Sequence, residues 1–243
     1  MSGHSKWANI KHKKGKTDAL KAKVTTKISR EITVAVRMGG ADPTGNMRLK
    51  LVLQKARENN IPKENIKRAI DKGLGAGDAG NYEEMVYEGY GPNGVAVTVN
   101  VMTDNKNRAA ADVRHAFSKN GGSLGATGCV AWMFKSKGIF VINAEGHDEE
   151  EVMMIALDAG AEDFKTEEGV FEIYTTPEGF DAVEAALAEA GIETEMAKIS
   201  MVPDTYVELN GDDAVKMQKM LDALEDLDDV QDVFHNGMLP DEE

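Results

Sequence analysis

Five lysines, Lys6, Lys11, Lys13, Lys14 and Lys16, fall within the first sixteen residues beside Trp7, His4 and His12. Ammonium groups neutralise phosphates and release their counterions, and an indole can stack on an unpaired base. The segment has no apolar period, so it reads as an arm, and a lone tryptophan among cations points to nucleic-acid contact. A second set lies on the next apolar-periodic stretch. At about 100° per residue, Lys23, Lys27, Arg30 and Arg37 share one helical stripe; Lys21 falls off it and Glu31 does not interrupt it. Such a stripe can follow a phosphate backbone. A third set, Lys106 and Arg108, sits at a strand-to-helix junction where Asp104 or Asn105 caps the helix, an arrangement suited to an anion. Arg48, Lys50, Lys55, Arg57, Lys63, Lys67, Arg68 and Lys72 widen the positive field without defining a groove.

Signals for covalent chemistry are sparse. The five histidines show no metal-ligand spacing, and the single cysteine, Cys129, reads as a small buried hydrophobe. One cysteine also excludes an internal disulfide framework. A literal G-x-G-x-x-G at Gly75, Gly77 and Gly80 follows a helix and precedes a strand-like run, the reverse of a dinucleotide site, and is rejected. No other phosphate-loop or nucleophile motif occurs, and the 13 methionines read as core filling. The sequence predicts no enzyme, no cofactor and no metal.

The charges that surround these residues are divided along the chain. Of 243 residues, the first 80 hold 18 Lys and Arg against 7 Asp and Glu, a balance of +11; the rest hold 10 against 35, a balance of −25. The net −14 hides a basic module joined to an acidic one, and such asymmetry points to a polyanionic partner. No apolar run approaches a membrane span and the first twenty residues carry no secretory leader, so the expected place is the cytoplasm, with no membrane partner.

The elements that must position the cations follow from periodicity. Leu20, Val24, Ile28, Ile32 and Ala35 mark a first helix stopped by Gly39-Gly40. Asp42-Pro43 is expected to cap and open a second helix with Leu49, Val52, Leu53 and Ala56 inward. Pro62 opens a third with Ile66, Ala69 and Ile70 inward, ended by Gly73. Beyond the glycine-rich linker, Tyr82–Tyr90 and Val95–Met102 read as a hairpin across Gly91-Pro92-Asn93-Gly94, followed by a helix over Asn107–Asn120. Val130–Phe134 and Gly138–Asn143 read as separate strands, and Gly121–Gly125 as a tight connection. From Gly138 the order is β-α-β-β-α-β, the ferredoxin-like pattern. A final β-α-β set covers Thr205–Leu209, Asp212–Leu227 and Val230–His235. Two strands, a helix and a strand make too little sheet to close alone, so this last set is expected to complete the middle domain; the alternative, a third small α+β unit, would expose a thin sheet face. The prediction is an α+β multidomain protein: arm and three-helix bundle (1–76), a discontinuous α+β domain (81–135 with 203–243), and an inserted ferredoxin-like α+β domain (136–202).

Several segments carry a family likeness. Gly3-His4-Ser5-Lys6-Trp7, Tyr87-Glu88-Gly89-Tyr90-Gly91-Pro92, Asp104–Arg108, Asp112-Val113-Arg114-His115-Ala116-Phe117 and Val230–Gly237 together resemble the YebC family, which includes the mitochondrial translational activator of cytochrome oxidase subunit I. The resemblance spans essentially the whole chain and implies a helical domain followed by two α+β domains, the middle one discontinuous. It implies one of two roles: a DNA-binding transcriptional regulator, or a ribosome-associated translation factor that binds ribosomal RNA and relieves stalling at consecutive prolines. Neither role involves a cofactor. The chain departs from the family pattern at Leu20-Lys21-Ala22-Lys23-Val24-Thr25, where a basic residue and an aromatic are missing. The reading carried forward is a non-enzymatic nucleic-acid-binding regulator. A reading of another class is a protein-interaction adaptor that uses the acidic α+β domains.

Overall fold

The computed structural model describes residues 18–75, 82–167 and 169–240. The six arm residues singled out above, Lys6, Trp7, Lys11, Lys13, Lys14 and Lys16, lie outside them. Three helices open the described chain: α1 (Asp18–Gly39), α2 (Met47–Glu58) and α3 (Lys63–Gly73). Ile28, Ile32, Ala35 and Val36 of α1 close a core with Leu49, Val52, Ala56, Ile61 and Ala69. Gly73 allows α3 to approach α1, because a Cβ there would meet Thr33 O and Val36 Cβ at 2.7 Å. The expected cap at Asp42 is corrected. Asn46 caps α2, its Oδ1 accepting from the Leu49 N–H while its amide donates to Ala35 O and Gly40 O. Asp42 instead accepts from the Thr44 N–H and hydroxyl and closes a turn before the helix. Both residue types cap well, and the buried acceptors around Asn46 decide between them.

The middle domain is built from both sides of an insertion. Strands β1 (Glu83–Tyr90) and β2 (Ala96–Thr103) form the hairpin, α4 (Lys106–Lys119) follows, and β3 (Ser123–Leu124) returns to β1. That two-residue strand lies inside the glycine stretch read from sequence as a connection. Gly89 permits the pairing, since a Cβ there would strike Ser123 O.

The next residues form the inserted domain: β4 (Phe134–Asn143), α5 (Glu149–Asp158), β5 (Asp163–Glu167), β6 (Val170–Thr175), α6 (Phe180–Glu189) and β7 (Met196–Pro203). Its sheet order is β5-β6-β4-β7, all antiparallel, which is the ferredoxin-like arrangement. The two strands expected at Val130–Phe134 and Gly138–Asn143 are corrected to a short 3₁₀ turn (Ala131–Met133) and one continuous strand. Gly138 suggested a break, yet it marks a close approach, where a Cβ would strike Thr175 Oγ1 and meet Phe180 Cδ2 at 2.8 Å.

The chain then returns to the middle domain with β8 (Val207–Glu208), α7 (Gly211–Asp226), β9 (Val230–His235) and β10 (Gly237–Met238). β9 pairs antiparallel with β2, giving the order β3-β1-β2-β9, while β8 and β10 form a parallel pair. One core joins the valines of β2 to Val113, Ala116 and Phe117 of α4 and Met217, Met220 and Leu224 of α7. The protein is thus a three-helix bundle followed by two α+β domains, the inserted one ferredoxin-like and the middle one discontinuous. By compactness the bundle and middle domain form one unit and the inserted domain another.

Candidate nucleic-acid interface

The α1 stripe is positioned by its own apolar face: burying Ile28, Ile32 and Ala35 turns Lys23, Lys27 and Arg30 towards the middle domain. What they meet is the C-terminal end of α7 and the loop after it, with Glu225, Asp226, Asp228 and Asp229. Carboxylates at a helix C-terminus oppose the macrodipole, and the last turn of α7 holds no basic residue of its own. The cations of α1 supply the missing counter-charge. Lys23 Nζ pairs with the Asp226 carboxylate, which lies below its ordinary range because of that hydrogen bond. Lys27 Nζ donates to Glu225 O at 2.7 Å, and burial pulls its ammonium down to about 8 despite nearby acids. The Arg30 guanidinium donates to Met102 O at 2.9 Å and Asp228 O at 3.1 Å, pairs with Asp229 at 3.4 Å, and lies 4.6 Å from the centre of the Tyr82 ring.

Asp229 is the hub. It is 8% exposed, and its Oδ2 accepts from Arg108 Nη2 at 2.8 Å, Arg108 Nε at 3.2 Å and the Thr103 hydroxyl at 2.9 Å. Its backbone carbonyl accepts from the Met102 N–H. Arg108 also pairs with Asp104, and its hydrogen bonds to Asp229 and Asp104 hold its guanidinium above the usual range. Lys106 pairs with Glu83. A second knot lies further along the same boundary. Lys55 Nζ is 2.9 Å from both Glu31 and Asp232. Burial alone would depress Lys55, but those two carboxylates raise it; burial raises Glu31 against the pull of Lys55. Arg48 and Glu84 form a bidentate pair. Beside these knots a groove of about 320 Å³ is lined by Glu31, Glu84, Asn100, Gln231 and Asp232, a lining whose carboxylates repel phosphate.

The sequence-derived set therefore divides. Lys23, Lys27, Arg30 and Arg108 converge on the 225–229 segment, Lys106 is held at Glu83, and Arg37 is exposed in the last turn of α1. A different group faces outward. Arg57, Lys63, Lys67 and Arg68 are exposed and Lys72 half-buried, and none makes an ion pair among the described residues. The exposed side chains of α3 are Lys63, Glu64, Lys67, Arg68 and Asp71, so its outer face offers charges and no base-reading amide. Sequence reasoning missed the part played by Glu225, Asp226, Asp229 and Asp232. Their partners lie between 121 and 203 residues away, and the available signal was a run of acids at the wrong end of a helix.

Glu88 of β1 is 4% exposed, and its two carboxylate oxygens accept from the Gly128 and Val130 N–H groups at 2.8 Å. It ties the 125–130 loop to the sheet edge. Cys129 in that loop is half-buried, its thiol pushed up by burial and by Glu88. Among the described residues no group of three or more His, Cys, Asp or Glu is arranged to hold a metal ion. No described helix is long and apolar enough to cross a membrane.

Two family models match the chain: the TACO1/YebC protein N-terminal domain over residues 5–76, and the TACO1/YebC second and third domain over residues 82–237. A probable transcriptional regulatory protein of Clostridium tetani is 56% identical, covering 100% of this chain and 99% of its own. One of the same name from Pelotomaculum thermopropionicum is 53% identical, covering 99% and 100%. The crystal structure of a conserved hypothetical protein from Aquifex aeolicus superposes with a TM-score of 0.79 at 46% identity, covering 97% of this chain and 98% of that one. The Clostridium and Pelotomaculum relatives carry a regulatory rather than an enzymatic label. On these matches the chain belongs to the TACO1/YebC family.

Proposed function

We propose that this protein is a non-enzymatic regulator of gene expression that grips nucleic acid through its phosphate backbone, using the arm and the outer face of the bundle. The carrying observation is the outward group Arg57, Lys63, Lys67, Arg68 and Lys72, which has no ion pair among the described residues although the chain holds 42 carboxylates. Lys6, Trp7, Lys11, Lys13, Lys14, Lys16 and Arg37 extend that surface in the proposal. Lys23, Lys27 and Arg30 instead hold the bundle to the middle domain, while Lys106 and Arg108 are engaged within that domain by Glu83, Asp104 and Asp229. The names of the relatives support a regulatory role, and transcriptional control through DNA is the reading that those names favour.

A second reading, binding of ribosomal RNA during translation, is favoured by the composition of the α3 face. Lysine and arginine without exposed Asn or Gln suit backbone and shape recognition rather than readout of a base sequence. The test is fluorescence anisotropy of the full chain with a labelled ribosomal RNA fragment and an equal-length DNA duplex across a salt series. Lys67→Glu with Arg68→Glu should weaken binding at least about tenfold at 0.1 M salt and flatten the salt dependence. Unchanged binding by that variant removes the bundle face from the interface. Absence of binding to either probe by the natural chain overturns the proposal.

A further inference from the structure

The middle domain carries a second cationic surface that the reading above does not use. Its two segments, 82–130 and 207–240, hold 14 Asp and Glu against six Lys and Arg, all six on α4 or α7. Lys106 and Arg108 are paired at the bundle end. Arg114, Lys119, Lys216 and Lys219 are exposed and make no ion pair among the described residues, despite this excess of acid.

Topology brings three of the four together. α4 follows β2 and α7 precedes β9, and because β2 and β9 are antiparallel the two helices run in opposite directions along the sheet. Their ends agree with this. Arg108 near the start of α4 reaches Asp229 just past the end of α7, while at the opposite end a Cβ on Gly121 would lie 3.7 Å from Lys216 Cδ. At about 100° per residue, His115 and Lys119 return to within about 20° of Arg108. They therefore project from the side of α4 that faces α7. This puts Lys119 at the same end of the helix pair as Lys216, with Lys219 one turn along α7 and His115 and Asp112 one and two turns back along α4. Gly121 (φ 78°) and Gly122 turn the chain here and put no side chain between the lysines. Along α7 the charges run from Asp212 and Asp213 in its first turn, through Lys216 and Lys219, to the acids at its end that receive α1.

We propose that the groove between α4 and α7, at the end where Lys119 meets Lys216 and Lys219, is a second phosphate-contact surface, so that bound nucleic acid touches both the bundle and the middle domain. The recognised chemistry is a row of phosphodiester groups, shared by structured RNA and duplex DNA. Lysines on flexible stems suit it, because each neutralises a phosphate without requiring a fixed base geometry. The proposal rests on nucleic-acid binding as argued above, and the experiment separates the two.

The test uses the full chain with Lys119→Ala, Lys216→Ala and Lys219→Ala combined, beside Lys67→Glu with Arg68→Glu. Both are titrated onto the labelled ribosomal RNA fragment and the DNA duplex from 50 to 300 mM salt, with thermal melts as the check on folding. Loss of three phosphate contacts should lower the slope of log K against log salt by about 2 for single-stranded regions and up to about 3 for a duplex. Affinity at 0.1 M should fall about 10- to 100-fold, and substituting arginine instead of alanine at the three positions should keep it. The probe that shows the larger slope change identifies the polyanion this surface takes. If the triple variant binds both probes like the natural chain while the bundle variant does not, the second surface is refuted and the bundle reading stands. If the natural chain binds neither probe, both fall together.

Discussion

Helices α1 and α3 carry similar cations to different ends. On α1, Lys23, Lys27 and Arg30 are drawn into carbonyls and carboxylates of a segment two hundred residues further on. On α3, Lys63, Lys67 and Arg68 face water with no such partner among the described residues. Residue type does not separate the two helices; the position of the acidic end of α7 does. A basic helix face is a binding surface only where the rest of the chain leaves it uncovered. The same rule applies to α7, whose acidic C-terminal end is neutralised internally while Lys216 and Lys219 stay exposed.

Breaking the covered side should give the largest effect. Asp229→Ala removes the acceptor shared by Arg30, Arg108 and Thr103 and leaves those donors without their common partner. Loss of one member of a mostly buried ionic network typically costs about 3 kcal/mol. Urea titration should show that loss. A variant as stable as the natural chain would mean that Asp229 does not fasten the bundle. Asp71→Ala on the open side should change stability by less than about 0.5 kcal/mol.

A pH titration sharpens the same contrast at smaller size. The Lys27 ammonium is depressed to about 8 by burial, from an ordinary 10.5. A lysine whose folded value is lowered adds stability above pH 10.5, and that contribution is lost as pH falls towards 8. Lys27→Met removes the effect. The stability difference, natural chain minus variant, should therefore rise by about 2 kcal/mol from pH 8 to pH 10.5, after allowance for partial solvent screening. Lys67→Met, on the open side, should show no such slope. Parallel curves for Lys27→Met and the natural chain would place Lys27 in water.

Much of this fold was legible because periodicity is local. Ile28, Ile32 and Ala35 marked the buried face of α1, and the β-α-β-β-α-β order followed from turn residues and strand lengths. The completion of the middle sheet by Val230–His235 came from a packing argument, since three strands and one helix leave a face uncovered. Errors arose where one residue type serves two purposes. Gly138 resembles a strand terminus and is a close approach to Phe180; Asp42 resembles a helix cap and closes a turn. The candidate interface was less legible. The spacing of Lys23, Lys27 and Arg30 located a real stripe, but what covers it comes from the far end of the chain. The approach of the end of α4 to the Lys216 turn of α7 needs the antiparallel course of two helices separated by the inserted domain.

The smallest effect tests whether every ion pair along the covered boundary contributes. Arg48 and Glu84 are bidentate, yet their side chains are 36% and 43% exposed, so water and salt screen them. A double-mutant cycle with Arg48→Met and Glu84→Gln should give a coupling of about 0.5 kcal/mol at low salt, falling towards zero at 1 M. The equivalent cycle at Lys55 and Asp232, where Glu31 adds a buried carboxylate, should give at least twice that value and retain most of it in salt. Equal couplings at the two sites would mean that burial does not grade this boundary. Unequal ones, in the order stated, locate its strength at the Glu31–Lys55–Asp232 knot and the Asp229 hub, with Arg48 and Glu84 setting only the approach of α2 to β1.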